Sequence, residues 1–304
     1  MNRSTLTLYS DLEAVYRPQR VWAEGRAVAL VTAHFLSGAG AGAWLVGLVL
    51  DLRLALALGL AAVVLGGIVH LGFLGHPERA WKMMMRPQSS WISRGLWSMM
   101  VFVPTAALYL AGTYGAWSTR SAFAIVMLVF SLVGMAGIFL YKGFVYSVSR
   151  AIPLWHSPLL AVTYIAAGVR GGAAVAFIGL AFVAPDSAGH GAQTWWLAAT
   201  AAMIFLFVLE LVDARSDLTV SRSLGVLTHG AVARVFFVGV VLLGIVVPAA
   251  LVIASYPAAI GSAGLLVAGI ASLVGDVAYK YCMNTAGTYV PLVQTVFRAR
   301  ERPA

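Results

Sequence analysis

Few residues in this chain could do chemistry, and they are unevenly placed. Six histidines occur in 304 residues. His34 stands about two helical turns into the first long apolar run, and His70 about one turn before the end of the second. Antiparallel helices would bring the two imidazoles to nearly the same depth. Such a pair can hydrogen-bond between helices, ligate a haem iron or exchange protons, and spacing alone leaves all three open. Arg170, in the stretch GVRGG, lies near the middle of another apolar run. A charge at that depth costs at least about 2.5–3.5 kcal/mol, so it should face the interior and meet a carboxylate. Glu210 is the expected partner; a water-filled proton path and a structural ion pair are the two chemistries on offer. Glu210 and Asp213 end the sixth run, and Asp276 and Lys280 the eighth. His76 and His156 fall in polar connections, and His229 just precedes the seventh run.

The elements that carry these groups follow from composition. The chain is 61% hydrophobic and 10% charged, with mean hydropathy +0.89, against about 45–50% and 25% in a soluble domain. A soluble enzyme, a disordered chain and, despite a pI near 10.0, a nucleic-acid-binding domain are excluded. A spanning helix needs about 20 apolar residues, and eight segments qualify: 27–50, 54–74, 95–112, 121–140, 158–183, 194–213, 231–254 and 258–280. The expected fold is an all-α polytopic membrane protein of eight transmembrane helices in two packed four-helix bundles. It forms one integral membrane domain, with a polar segment 1–26 and a polar tail 281–304. No removable signal peptide is expected. The small-residue run SGAGAGAW at 37–44 reads as a close helix-packing face. The single cysteine, Cys282, supplies neither a disulfide framework nor the roughly four thiolates of an iron–sulfur cluster.

Charge sets the orientation. Seventeen of the 20 basic residues fall on the side holding both termini and the 2–3, 4–5 and 6–7 connections; Lys142 and Lys280 are among them. Arg53 and Arg120 fall opposite, and Arg170 within a span. By the positive-inside rule both termini are expected to be cytoplasmic; the family resemblance described below implies a bacterial or archaeal inner membrane. A basic face could also receive an acidic subunit. Trp44, Trp117, Trp195 and Trp196 at outer span ends, and Trp22, Trp81, Trp91 and Trp155 at inner ones, are expected to form interfacial belts.

The connection LGHPERAWKMMMRPQSSWISRG at 74–95 resembles the signature loop of the polysulfide reductase/DMSO reductase membrane-anchor family, the NrfD-like proteins. YKGFVYSVSRAIPLWHSPLL at 141–160 is similar to that family's segment between helices 4 and 5, with Lys142 in place of its usual threonine. The family usually has His or Asp directly before the loop motif; here that position is Phe73, and His70 lies one turn earlier. The resemblance implies a membrane subunit that binds a quinone (ubiquinone or menaquinone). It would dock an iron–sulfur electron-transfer subunit, which docks a molybdopterin (Mo or W) catalytic subunit. His34, His70 and Tyr141 become the expected quinone-binding residues, and Tyr141 carries the family's quinone-contacting tyrosine. His76, Pro77, Glu78, Arg79, Trp81, Trp91 and Arg94 are expected at the partner-docking loop, and Arg170, Glu210 and Asp213 on the proton path.

The partners of this chain would then be those subunits and membrane lipid, without nucleic acid, iron–sulfur cluster or molybdenum of its own. With the loop cytoplasmic, a cytoplasmic catalytic subunit would act on sulfite, a CoA thioester such as phenylacetyl-CoA, or formate or nitrate. Two other readings are a haem b anchor with His34 and His70 as ligands, which the resemblance disfavours, and a secondary transporter centred on Arg170.

Overall fold

The computed structural model describes residues 19–183, 189–213, 218–255 and 260–289. Among the described residues, eight helices are long and apolar enough to cross a membrane. They are α1 (Ala27–Val49), α2 (Arg53–Phe73), α3 (Trp91–Thr113), α4 (Ala122–Ser147), α5 (Pro158–Val183), α6 (Gly189–Asp213), α8 (Val235–Ala254) and α9 (Ser262–Ala286). A short helix, α7 (Leu218–Thr228), lies between α6 and α8, where the sequence suggests only a connection. It buries Thr219, Val220, Ser223, Leu224 and Leu227 along one face. With no strand among the described residues, the protein is an all-α polytopic membrane protein.

From α1 to α6, and again from α7 to α9, successive helices pack as neighbours, and α1 and α5 occupy the centre, in contact along their length. Each is 67% buried over its most apolar stretch, against 22% for α3 and 28% for α2, whose outer faces are left for lipid. The small residues of α1 explain this position. A side chain on Gly42 would collide with the backbone of Gly168, and one on Gly172 with the backbone of Gly42. Only glycine lets two backbones approach so closely.

Two helices run further than hydropathy suggests. α4 continues past residue 140 to Ser147, and α9 past 280 to Ala286. The expected ends coincide with the first lysines, Lys142 and Lys280, yet both are inside the bundle, 1% and 4% exposed. They are therefore not part of the basic surface. The tryptophan belts also need correction. Trp44, Trp196 and Trp155 are fully buried; Trp44 donates to Ser131 (3.2 Å) and Trp155 to the Met283 carbonyl (3.0 Å). Those two indole N–H groups serve interhelical packing instead of headgroups.

α8 opens as a π-helix over Val235–Val246 and tightens to α-helix at Val247. Pro248, with no N–H, leaves the Gly244 carbonyl without its i→i+4 donor. That free carbonyl recurs below.

Candidate functional site

His34 on α1 and His70 on α2 do meet, with ring centroids 5.1 Å apart. Tyr141, in the added turns of α4, stands edge-on to His34 at 6.1 Å. The three residues expected to act together are thus one cluster. Tyr146 completes it: its hydroxyl shares a 3.0 Å hydrogen bond with His34 Nδ1, and its ring stacks on Tyr164. Sequence reasoning misses Tyr146 because it treats 141–160 as a connection.

Tyr141 is held by α3. A Cβ added at Gly95 would lie 2.4 Å from the tyrosine ring carbons, so glycine makes room for the ring. Beside Tyr141, walled in part by α3 itself, is a narrow cleft of about 60 Å³ that widens to about 410 Å³ when its open mouth is included. His70 and Tyr141 are the polar side chains in its wall; the rest is glycine and apolar, including Leu74, Met83, Ile92 and Met99. His70 Nδ1 is buried at this wall with no hydrogen-bond partner.

The floor of the cleft is the loop between α2 and α3. Residues Pro77–Met85 form a 3-10 helix, with Trp81 58% exposed. His76 and Glu78 pair at 2.9 Å, and Arg79 lies 3.8 Å from Glu78, all at the surface. The first turns of α3 fasten this loop. Ser90 caps the helix, Ser93 donates to the Met83 carbonyl, and Trp97 donates to that of Met84 (3.1 Å). Arg94 donates to the carbonyls of Pro87 and Gln88, both at 2.7 Å, and its guanidinium lies 4.3 Å over the Trp91 ring. Trp91 in turn stacks on Phe144 of α4 at 4.4 Å. Of the expected docking residues, Trp91 and Arg94 thus shape the loop, while His76, Glu78, Arg79 and Trp81 are its exposed face.

Comparison with known proteins matches these features to a family. Residues 27–291 match the family described as polysulphide reductase, NrfD. The protein belongs to that family. It is 27% identical over 270 residues to protein NrfD of Escherichia coli K12, covering 78% of this sequence and 82% of the relative. It is 24% identical over 242 residues to the C subunit of polysulfide reductase from Wolinella succinogenes, covering 70% and 74%. The protein is therefore an integral membrane subunit of the kind found in oxidoreductase complexes.

The expected polar path of this NrfD-family protein is arranged differently from its sequence reading. Arg170 is 3% exposed and pairs with Asp276 of α9, not with Glu210. Its Nε donates to Thr200 Oγ1 (3.1 Å), its other amine donates to the freed Gly244 carbonyl, and the guanidinium lies 5.3 Å from the Trp196 ring. Thr200 fixes the level of Arg170 along α6; Glu210, ten residues on, is about 15 Å away along the axis. Glu210 instead accepts from Ser157 at 2.6 Å. Asp213 closes α6, and its side chain lies outside the described residues. Hydropathy ends α9 at 280 and so puts Asp276 at a helix end; the helix runs on, and Asp276 is interior.

Proposed function

We propose that this chain is the quinone-reactive membrane subunit of a respiratory molybdopterin/iron–sulfur oxidoreductase, with its quinone site in the cleft beside His70 and Tyr141. The observation that carries this reading is the buried, unpartnered Nδ1 of His70, at the wall of an apolar cleft next to a tyrosine. A quinone needs apolar walls for its ring and hydrogen-bonding groups for its two oxygens. Bound there, it would supply a two-electron, two-proton couple. His70 and Tyr141 would orient the ring oxygens, and His34, held by Tyr146, would exchange protons behind them. The exposed loop face at His76, Glu78, Arg79 and Trp81 is where the iron–sulfur subunit docks, with the molybdopterin subunit beyond it. The basic residues outside the bundle favour a cytoplasmic position for that face and both termini.

The test is purification of the intact complex, metal analysis for molybdenum or tungsten and iron, and quinone-coupled electron exchange. His70→Ala and Tyr141→Phe should each raise KM for decylubiquinone or menadione by about 2- to 10-fold, the worth of one lost hydrogen bond. Isolation of this chain as a stable monomer active alone would refute the reading. A haem Soret band that disappears in His70→Ala would replace the quinone site with a haem one.

A further inference from the structure

Outside the bundle, Arg53 and Arg120 are the basic residues on the side opposite the 74–95 loop. They come from different elements: Arg53 opens α2, and Arg120 lies in the turn before α4. Both nevertheless line one hollow, where α2 begins and α3 ends, of about 570 Å³, or about 1010 Å³ with its open mouth. Asp51 lines it too, from the tight turn between α1 and α2. Its φ of +51° is one that glycine adopts without strain, yet a carboxylate stands there. Neither arginine lies within ion-pair distance of Asp51 or of another described carboxylate. Tyr109, Tyr114 and Trp117 add aromatic surface to the same wall. Two of these rings are braced from behind, Tyr109 edge-on to Trp44 at 6.2 Å and Trp117 edge-on to Phe123 at 5.3 Å. An adjoining hollow of about 250 Å³ shares Asp51 and Arg53 but is otherwise apolar, with Leu54, Leu180 and Val183 in its wall. It runs inward along α5 from Val183 to Ala176, a distance of about 10 Å.

Both hollows lie at the ends of spans, the depth at which lipid headgroups sit. A basin holding two cations and one anion, beside an apolar slot, matches a molecule with a phosphate, an ammonium and a hydrocarbon chain. We propose that this is a binding site for a phosphatidylethanolamine lipid, separate from the quinone cleft and independent of the quinone reading. Arg53 and Arg120 take the phosphate, whose oxygens suit the fork of a guanidinium. The primary ammonium donates to the Asp51 carboxylate, and the aromatic faces attract the same cation. An acyl chain enters the slot beside Leu54 and Leu180. Asp51 is what selects the lipid. A phosphatidylglycerol head offers it no cation, and the quaternary ammonium of phosphatidylcholine has no N–H to donate. Discrimination of this kind works through the group left unpaired by the wrong ligand.

The test is native mass spectrometry of the full-length protein, purified in mild detergent with any subunits that accompany it and stripped of lipid by detergent exchange. It is titrated in turn with phosphatidylethanolamine, phosphatidylcholine and phosphatidylglycerol of identical acyl chains. Wild type should bind phosphatidylethanolamine about fivefold more tightly than either other lipid, the factor expected for one charge contact near a membrane surface. Arg53→Gln and Arg120→Gln should each weaken that binding about fivefold. Asp51→Asn should erase the preference over phosphatidylcholine and make phosphatidylglycerol the tightest ligand, a reversal that damage to the fold would not produce. Wild-type binding indifferent to headgroup, or an Asp51→Asn protein that keeps the wild-type order, would overturn the proposal. Displacement of the lipid by inorganic phosphate would also overturn it, since the hollow would then be a site for a soluble anion. If the arginine variants cannot be purified, the headgroup order of wild type and Asp51→Asn decides; if no variant can, that of wild type decides alone.

Discussion

Gly95→Ala displaces Tyr141 without removing any polar group of the site, although Gly95 is also part of the cleft wall. The added methyl would stand 2.4 Å from the ring carbons, where carbon atoms pack at about 3.5–4.0 Å. The ring must therefore retreat by about 1 Å, or α3 and α4 must part by as much. Overpacking of this kind costs about 1–3 kcal/mol, while replacing a mid-helix glycine by alanine returns about 1 kcal/mol. The net loss of stability should be about 0–2 kcal/mol, visible as a small fall in the Tm of the complex. The effect on turnover should be larger, because a displacement of about 1 Å at a reacting group can cost on the order of 100-fold. The assay is viologen-driven reduction of decylubiquinone by the intact complex. Gly72→Ala on α2 is the control, since nothing lies within 4 Å of its added Cβ. A Gly95→Ala complex whose turnover stays within about twofold of wild type would show that Tyr141 need not be where α3 holds it, and the assignment of the cleft would lose its main support.

Arg170→Met alone should destabilise by about 3–5 kcal/mol, because Asp276 is left buried and uncompensated; Arg170→Met with Asp276→Leu should recover most of this, as thermal unfolding of the solubilised protein would show. Arg94→Lys keeps the charge but loses the two-carbonyl fork and the stack on Trp91. It should cost about 1–3 kcal/mol of loop anchoring, read as faster proteolysis within 76–90 and weaker retention of the partner subunits. Tyr146→Phe removes the hydrogen bond to His34 Nδ1 and should lower stability by about 0.5–1.5 kcal/mol. It should also raise sensitivity of turnover to pH, since His34 would no longer be held in one orientation.

The spans are legible because each is a long apolar run, and the meeting of His34 with His70 follows from counting turns along two adjacent ones. The small-residue face of α1 is equally readable: Gly42 can have no side chain where Gly168 and Gly172 cross it. Reading fails where charge is used as a boundary marker. Lys142 and Lys280 look like the start of solvent, yet α4 and α9 carry them another turn or more into the bundle. That error hides Tyr146, places Asp276 at a helix end, and gives Arg170 the wrong carboxylate. A lysine's own hydropathy does not say whether it meets water or a neighbouring helix. Periodicity past it does: FVYS after Lys142, and YCMNTA after Lys280, continue the helical pattern. The fork of Arg94 onto loop carbonyls has no sequence signal beyond its place in SSWISR, because its partners are backbone atoms.

One geometric relation ties the loop to the cleft more closely than either motif suggests. Met83 is part of the cleft wall, while Trp81 and Met85, on the same nine-residue 3-10 helix, are 58% and 64% exposed. The helix therefore has one side against the proposed quinone and another open to a partner. Its full width with side chains is on the order of 10 Å by analogy with an α-helix. A redox partner seated on the exposed side would be separated from the ring by little more than this one element. No carrier of electrons within the membrane subunit is then needed, which accords with a sequence containing a single cysteine. The same closeness explains why the loop is fastened at several points by Ser93, Arg94 and Trp97: loosening it would shift the docking face and the floor of the cleft together. Docking and quinone chemistry in this protein should accordingly be inseparable by mutation within 77–85, whereas changes at Arg170 or Asp276, on the far side of α1 from the cleft, should affect stability while leaving partner binding intact.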